Sequence, residues 1–183
     1  MAIRLVIPAI DPPVTLAEVK LAVRFDDAAL DAEITSMLMA ATRVHEHECG
    51  QSLMPQTWEL TLDAFPSGDV QAITLTRIPV ASITTIIYAD AAGTVITLAG
   101  GAFVLDAADQ YGSAYAVPAY GGVWPVSRGE INAVRLRYVA GFADAASVPW
   151  HHKQAVKIIV AQMLDDPACL QDRLAAVDKA YAL

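Results

Sequence analysis

The sequence predicts an α+β protein, in which a small bundle of about four helices carries an inserted antiparallel β block. The apolar residues recur with a helical period in 14–50, with a period of two in 56–142, and with a helical period again from 148 to 183. The block therefore lies between the second and third helices. We expect these three segments to form a single domain over 1–183.

Two helices are expected before residue 50. Thr15 and Glu18 have the spacing of a capping box, so a short helix begins directly after Thr15. Asp26 or Asp27 is a suitable N-cap for a longer helix of roughly 20 residues. Gly50 suits the left-handed residue that ends it. The apolar stripe of this second helix contains Leu30, Ile34, Leu38, Ala41 and Val44.

The middle of the chain has the pattern of antiparallel strands. In "QTWELTLDAF" apolar residues alternate with polar ones, and Trp58 lies on the apolar side. Asp90–Gly93 is predicted to be a hairpin loop with glycine in its left-handed position. The segment 106–129 is rich in Gly, Tyr, Ala and Ser, and we expect a long excursion there. In "INAVRLRYVAG" the arginines Arg135 and Arg137 face away from the apolar side.

Two further helices are expected after residue 148. Pro149 suits the first turn of the third helix, and Asp165–Asp166–Pro167 ends it. Its predicted buried side consists of Ala155, Ile158, Ile159, Gln162 and Met163. A fourth, shorter helix follows, and it either folds back on its own domain or docks on a partner. Its apolar stripe consists of Leu170, Leu174, Val177 and Tyr181.

Composition and charge exclude several classes of protein. Hydrophobic residues make up 55% of the chain and charged residues 17%, which indicates an apolar surface suited to assembly. The net charge is −8, and the sequence has no basic stripe of the kind that sequence-specific DNA-binding proteins carry. A negative charge suits a surface past which DNA slides. No segment is apolar over the roughly 18 residues of a membrane span, and no signal peptide is expected. Two cysteines favour folding in a reducing cytoplasm.

The segment "RVHEHECG" (43–50) concentrates potential metal ligands at the predicted end of the second helix. His45 and His47 point roughly 160° apart on a helix, so they do not share a metal, whereas His45 and Cys49 are four residues apart and can. A third ligand would have to be His151 or His152. Because no geometry for three ligands is evident, the sequence favours a solvated helix end and less than one bound transition metal per chain.

Other catalytic motifs are absent from the sequence. It contains no nucleophile elbow, phosphate-binding loop or dinucleotide-binding glycine pattern. The acidic pairs Asp26–Asp27 and Asp165–Asp166 lie where helices begin or end, which favours capping over acid–base chemistry. Catalysis therefore has no positive support in the sequence.

Four segments resemble a known family. They are "VTLAEVKLAVRFDDAALDAEI" (14–34), "GQSLMPQTWELTLDAFP" (50–66), "WPVSRGEINAVRLRYVAGF" (124–142) and "VPWHHKQAVKIIVAQML" (148–164). Together they resemble the head–tail connector proteins of long-tailed bacteriophages and prophages, which are also called adaptor or head-completion proteins. Relatives of these proteins occur in phage-like gene transfer agents. The Pro-Gln-Thr-Trp-Glu-Leu and Trp-Pro-x-x-Arg stretches are the most specific parts.

The resemblance implies a structural virion subunit without enzymatic activity or cofactor. Members of the family form a ring, typically twelve-fold, below the portal protein, where the ring extends the DNA channel and receives the next neck protein. The implied location is the neck of the virion, after assembly in the cytoplasm of a bacterial host. The candidate interface residues are Trp124, Arg128, Arg135, Arg137, Leu170, Leu174, Val177 and Tyr181.

A metal-dependent hydrolase that uses His45, Cys49 and one distal histidine is the alternative function. Such an enzyme would bind stoichiometric zinc as a monomer. A connector would instead bind a portal and would need no metal.

Overall fold

The predicted α+β class is confirmed by a computed structural model of the chain. The structure describes residues 1–68, 71–107 and 112–165. The chain divides into two compact units, each of which is assembled from two segments of sequence. The β unit comprises Met1–Pro8 and Gln56–Gly141, and the helical unit comprises Ala9–Pro55 and Phe142–Leu183.

In its described part the helical unit contains three α-helices and one short 3₁₀ helix. The predicted capping box is present, since the Glu18 N–H donates to the Thr15 hydroxyl and the Glu18 carboxylate accepts from the Thr15 N–H. Gly50 follows the second α-helix with a φ of 70°, as predicted. The helices are α1 (Leu16–Val23), the 3₁₀ helix (Ala28–Leu30), α2 (Asp31–Cys49) and α3 (Trp150–Asp165).

Two predictions about the helices are corrected or left open. The second α-helix begins at Asp31 rather than directly after Asp27. The Asp27 carboxylate accepts from the Ala29 N–H at 2.9 Å, and this bond caps the 3₁₀ turn instead. The predicted fourth helix, at 168–183, lies outside the described residues.

The core of the helical unit is formed where apolar faces of its helices meet. On α2 the predicted stripe is buried from Ile34 to Val44, while Leu30 lies in the preceding 3₁₀ helix and is exposed. The buried face of α3 differs from the prediction, because Ile158 and Gln162 are exposed. Its buried residues are His152, Val156, Ile159, Val160 and Met163. This α3 contains apolar residues on two faces, so its spacing alone did not show which face packs.

The described part of the β unit contains two antiparallel sheets. The larger sheet has five strands in the order β1-β2-β8-β4-β5, and the smaller has three in the order β3-β7-β6. The predicted hairpin loop at Asp90–Gly93 joins β4 to β5, where the Asp90 carboxylate accepts from the Ala92 and Thr94 N–H groups. The strands are β1 (Ala2–Ile7), β2 (Gln56–Leu62), β3 (Ile73–Leu75), β4 (Val80–Ala89), β5 (Val95–Thr97), β6 (Phe103–Asp106), β7 (Ala114–Pro118) and β8 (Val134–Ala140).

Two of these strands were not predicted. Strand β1 precedes all the helices and pairs with β2, so the β unit is not simply an insertion between the second and third helices. Strand β7 lies within the segment 106–129, which was expected to be an irregular excursion. Strand β1 pairs with β2, which follows the first two α-helices, and β7 pairs with the preceding β6 and with the more distant β3. A local pattern carries little information about the long-range part of this pairing.

Trp58 occupies the predicted buried position on β2. It is 1% exposed and lies opposite Tyr138 of β8. The guanidinium carbon of Arg77 lies 4.9 Å from the centre of the Trp58 ring, which is a cation–π contact. The Tyr138 hydroxyl accepts a hydrogen bond from the Arg77 N–H at 3.3 Å. The indole is thus buried between its own sheet and the segment that carries Arg77.

We expect Trp58→Ala to lower the free energy of unfolding by about 3–5 kcal/mol, because it leaves a large cavity in the β unit. Chemical denaturation followed by far-ultraviolet circular dichroism measures the change. Trp150→Ala is the matched control, since Trp150 is 75% exposed and its loss should change stability by no more than about 0.5 kcal/mol. Equal effects of the two variants would contradict the burial of Trp58.

Candidate functional site

The last two turns of α2 place His45 and Cys49 on one side of the helix. The two residues are four positions apart, and side chains at this spacing lie one above the other. The His45 side chain is partly buried, and Cys49 is exposed. The helix ends directly after Cys49, as the sequence predicted.

The third member of this cluster is His152, in the first turn of α3. The Nδ1 atom of His152 lies 2.8 Å from the Nε2 atom of His45, which is hydrogen-bond distance for two imidazoles in complementary tautomers. One potential ligand atom from each of His45, Cys49 and His152 lies within 4.8 Å of the others. We call these three residues the His–Cys cluster. The expectation that no geometry for three ligands exists is therefore wrong.

Only one of the two candidate distal histidines belongs to the cluster. His152 lies on the buried face of α3 and is 5% exposed, whereas the neighbouring His151 is exposed. The sequence left these two residues undecided, because neighbouring helical residues point in different directions and the sequence did not show which of them faces α2. The packing of α3 within the helical unit decides between them.

His152 is a neutral base at physiological pH. Its pKa is lowered to about 4, first because burial disfavours the charged imidazolium and then because His151 and His45 lie nearby. Its Nε2 atom is buried and has no hydrogen-bond partner within the described residues. A neutral imidazole with an available lone pair is the form that binds transition metals.

Trp124, a predicted interface residue, is buried within the β unit. It is 8% exposed, its ring stacks on Phe65 with 5.0 Å between the ring centres, and its Nε1–H donates to the Gln71 carbonyl at 2.6 Å. This position does not suit an exposed interface anchor, because the indole is covered by its own chain. In the sequence, Trp124 stands between Gly122 and Pro125, a context typical of an exposed loop. This context gave no sign of the contacts with Phe65 and Gln71.

The three arginines among the predicted interface residues differ in their surroundings. Arg135 of β8 is exposed. The Nε of Arg128 lies 3.2 Å from a carboxylate oxygen of Glu130, and both side chains are about half exposed. The Nε of Arg137 lies 2.6 Å from a carboxylate oxygen of Glu59, so this guanidinium is engaged within the β unit. Leu170, Leu174, Val177 and Tyr181 lie outside the described residues.

Glu59 is a buried carboxylate on β2 of the five-stranded sheet, between β1 and β8. Its side chain is 3% exposed and accepts hydrogen bonds from Arg4 on β1, at 2.8 Å, and from Arg137 on β8, at 2.6 Å. Burial by itself would raise the pKa of Glu59, but the two guanidinium groups outweigh it and lower the pKa below the usual 4.5. Ion pairs with both neighbouring strands therefore tie β1 and β8 to β2.

This arrangement predicts a loss of stability in acid. Because the pKa of Glu59 is lowered by folding, its contribution is fully present above about pH 4.5 and disappears as the pH falls through the folded-state pKa. We expect Glu59→Gln to destabilise the protein by about 1–3 kcal/mol at pH 7, and the difference from the unaltered protein to shrink towards pH 3.

Denaturant titrations of both proteins at several pH values measure the difference. Glu130→Gln is the matched control, since it removes an exposed ion pair worth at most about 1 kcal/mol. A difference for Glu59→Gln that stayed constant from pH 7 to pH 3 would refute the ionised, paired state of Glu59.

The loop between β7 and β8, residues 119–133, exposes several large apolar side chains that the sequence analysis did not single out. Gly121, with a φ of 75°, helps to form a turn that projects its neighbour Tyr120 outwards. The buried Trp124 holds the same loop from the inside. The exposed apolar residues of this loop are Tyr120, Val123, Val126 and Ile131, and we call them the apolar loop patch. The only sequence signal for it was the low proportion of charged residues.

Within the described residues, no helix combines the length and the apolar character that crossing a membrane requires. No family model matches the chain, and no curated protein matches it.

Solved structures do resemble it. In the virion of a native gene transfer agent (GTA) particle, a chain 28% identical to this one aligns with 91% of this chain and 85% of its own length, with a TM-score of 0.70. In the neck of an empty GTA particle computed with C6 symmetry, the identity is 27% and the TM-score 0.72, again over 91% and 85% of the two chains. In the neck of a native GTA particle computed with C12 symmetry, the values are 28% and 0.66, over 91% and 84%.

These similarities first establish the class, an α+β protein of the kind found in virion necks. They then support a narrower statement, because they agree with the motifs in the sequence. The chain resembles the head–tail connector or neck proteins of gene transfer agents, and the predicted resemblance is thereby confirmed.

Proposed function

We propose that this chain is a structural subunit of a virion neck, where it forms a ring below the portal protein and joins the head to the tail. The observation that carries the proposal is similarity over 91% of the chain, at 27–28% identity, to chains in gene transfer agent particles and necks. A likeness of this extent includes both the helical segments and the β segments. The similar chains belong to virion structures, and we propose no catalytic activity for this one.

The ring arrangement is supported by two independent features. Similar chains occur in necks computed with C12 and C6 symmetry, which suits a protein present in many copies around one axis. The apolar loop patch offers an exposed surface of the kind that a neighbouring subunit covers. We infer a twelve-fold ring in which this patch contacts the next copy of the chain.

The charge of the chain suits a ring through which DNA passes. A net charge of −8 repels the phosphate backbone, so DNA slides through the channel without being held. We therefore propose that the ring extends the DNA channel of the portal without sequence-specific contacts. Its opposite face would receive the next neck protein.

Assembly with the portal tests this function directly. The chain is mixed with the portal protein of the same particle, and the product is examined by light scattering and electron microscopy. We expect the chain to form rings on the portal at concentrations at which it is mostly monomeric alone. A chain that remained monomeric with the portal present would contradict the proposal.

The apolar loop patch gives a sharper prediction about the ring. The double variant Val123→Asp, Val126→Asp would place two charges in the contact between copies, and charges buried without partners are unfavourable. We expect it to raise the concentration needed for ring formation by more than about tenfold, or 1.4 kcal/mol, with an unchanged melting temperature.

The matched control is Val104→Asp, which alters a half-exposed valine on β6 of the same unit. This control should assemble as the unaltered chain does. Equal loss of rings in both variants would mean that the patch is not the specific contact.

The stripe of Leu170, Leu174, Val177 and Tyr181 predicts a contact with the portal or a neighbouring copy, in the manner of a helix in a groove. Truncation after Pro167 tests it. On this proposal the shortened chain keeps a similar melting temperature but no longer joins the portal. A shortened chain that is unfolded would show that the segment belongs to the core of the protein.

A further inference from the structure

We propose that His45, Cys49 and His152 form a binding site for one Zn²⁺ ion, which links the end of α2 to the beginning of α3. The inference is independent of the ring and of the portal. It concerns a site within the helical unit, and it would hold whatever the unit assembles with.

The distances within the His–Cys cluster are close to those around a tetrahedral zinc ion. Zinc lies about 2.0–2.1 Å from histidine nitrogens and about 2.3 Å from a cysteine sulfur, so two of its ligand atoms are roughly 3.3–3.6 Å apart. In the structure the two facing imidazole nitrogens are 2.8 Å apart, and the three potential ligand atoms lie within 4.8 Å of one another. Small side-chain rotations therefore suffice to surround an ion.

The types of donor select the class of metal. Two imidazole nitrogens and one thiolate form a borderline-soft set that suits Zn²⁺ and neighbouring transition metals. Mg²⁺ and Ca²⁺ prefer oxygen ligands, and the His–Cys cluster provides none.

The burial of the three side chains favours a site with one open position. His152 is buried and lies against His45, whereas Cys49 is exposed to solvent at the helix end. Three protein ligands leave the fourth position of a tetrahedral ion for water. An ion could therefore enter from the side of Cys49 without any rearrangement of the core.

The hydrogen-bonding capacity of the His152 ring is only partly used by contacts within the described residues. One ring nitrogen faces His45, while the buried Nε2 atom has no hydrogen-bond partner within the described residues. A buried polar atom without a partner is unfavourable by about 1–3 kcal/mol, so such an atom in a native protein calls for an explanation. The nitrogen that faces His45, and that would bind an ion between the two rings, is Nδ1 and not this Nε2.

Binding requires a defined change of protonation. The Cys49 thiol loses its proton when its sulfur binds the ion as a thiolate. The proton between the two facing nitrogens moves, by exchange through water, to the other nitrogen of the ring that carries it, so each imidazole stays neutral and presents one lone pair to zinc. One proton, that of the Cys49 thiol, is thus released for each ion bound, with no redox change.

The test uses the full-length chain, freed of metal and kept reduced. Isothermal titration calorimetry with Zn²⁺ should give one ion per chain, and Zn²⁺ should raise the melting temperature by mass action. Co²⁺ serves as the spectroscopic probe, because a thiolate bound to Co²⁺ produces a charge-transfer absorption. Mg²⁺ at the same concentration should have no effect.

Variants distinguish this site from incidental binding by histidines. Cys49→Ser should abolish the thiolate absorption, and His45→Ala or His152→Ala should weaken Zn²⁺ binding by at least about 10–100-fold. His151→Ala and His47→Ala are matched controls, since they remove histidines beside the cluster, and their binding should be unchanged.

Three results would overturn the proposal. They are the absence of a thiolate absorption with Co²⁺, a stoichiometry well below one Zn²⁺ per chain, and binding that is lost in the controls but kept in the cluster variants. If His152→Ala fails to fold, the partly or fully exposed positions His45 and Cys49 still decide the question, because neither side chain belongs to the core.

Discussion

The packing of α3 against α2 is the constraint on which the helical unit and its candidate metal site depend. The two helices lie 100 residues apart in the chain, yet their apolar faces share one core that includes Leu38 and Val160. Burial of these faces sets the rotation of α3 about its axis. That rotation places His152 against His45 and leaves His151 in solvent. The position of the candidate metal site thus follows from the burial of apolar side chains between α2 and α3.

The β unit depends in a similar way on its central strands. Strand β8 lies between β2 and β4, and its register with β2 places Arg137 opposite Glu59 and Tyr138 opposite Trp58. A slip of one residue would move these side chains to the opposite faces of the sheet. The same register that buries the tryptophan therefore also pairs the buried charge, and the apolar and ionic contributions support a single arrangement.

A structural role in assembly agrees with what the described surfaces offer. The loop at 119–133 is held from within by Trp124 and carries apolar side chains outwards, so part of its support comes from its own chain. Preformed surfaces of this kind lose little conformational freedom on binding. This property suits a structural subunit of a virion particle.

The sequence by itself determined the α+β class, the capping box at Thr15, the end of α2 at Gly50 and the burial of Trp58, because each follows from short-range periodicity or backbone preference. It also placed His45 and Cys49 on one side of a helix. Tertiary structure alone decided the pairing of β1 with β2, the inward position of Trp124, and the choice of His152 over His151. These features arise from contacts between segments far apart in the chain. Local patterns do not encode which of two apolar faces will find a partner.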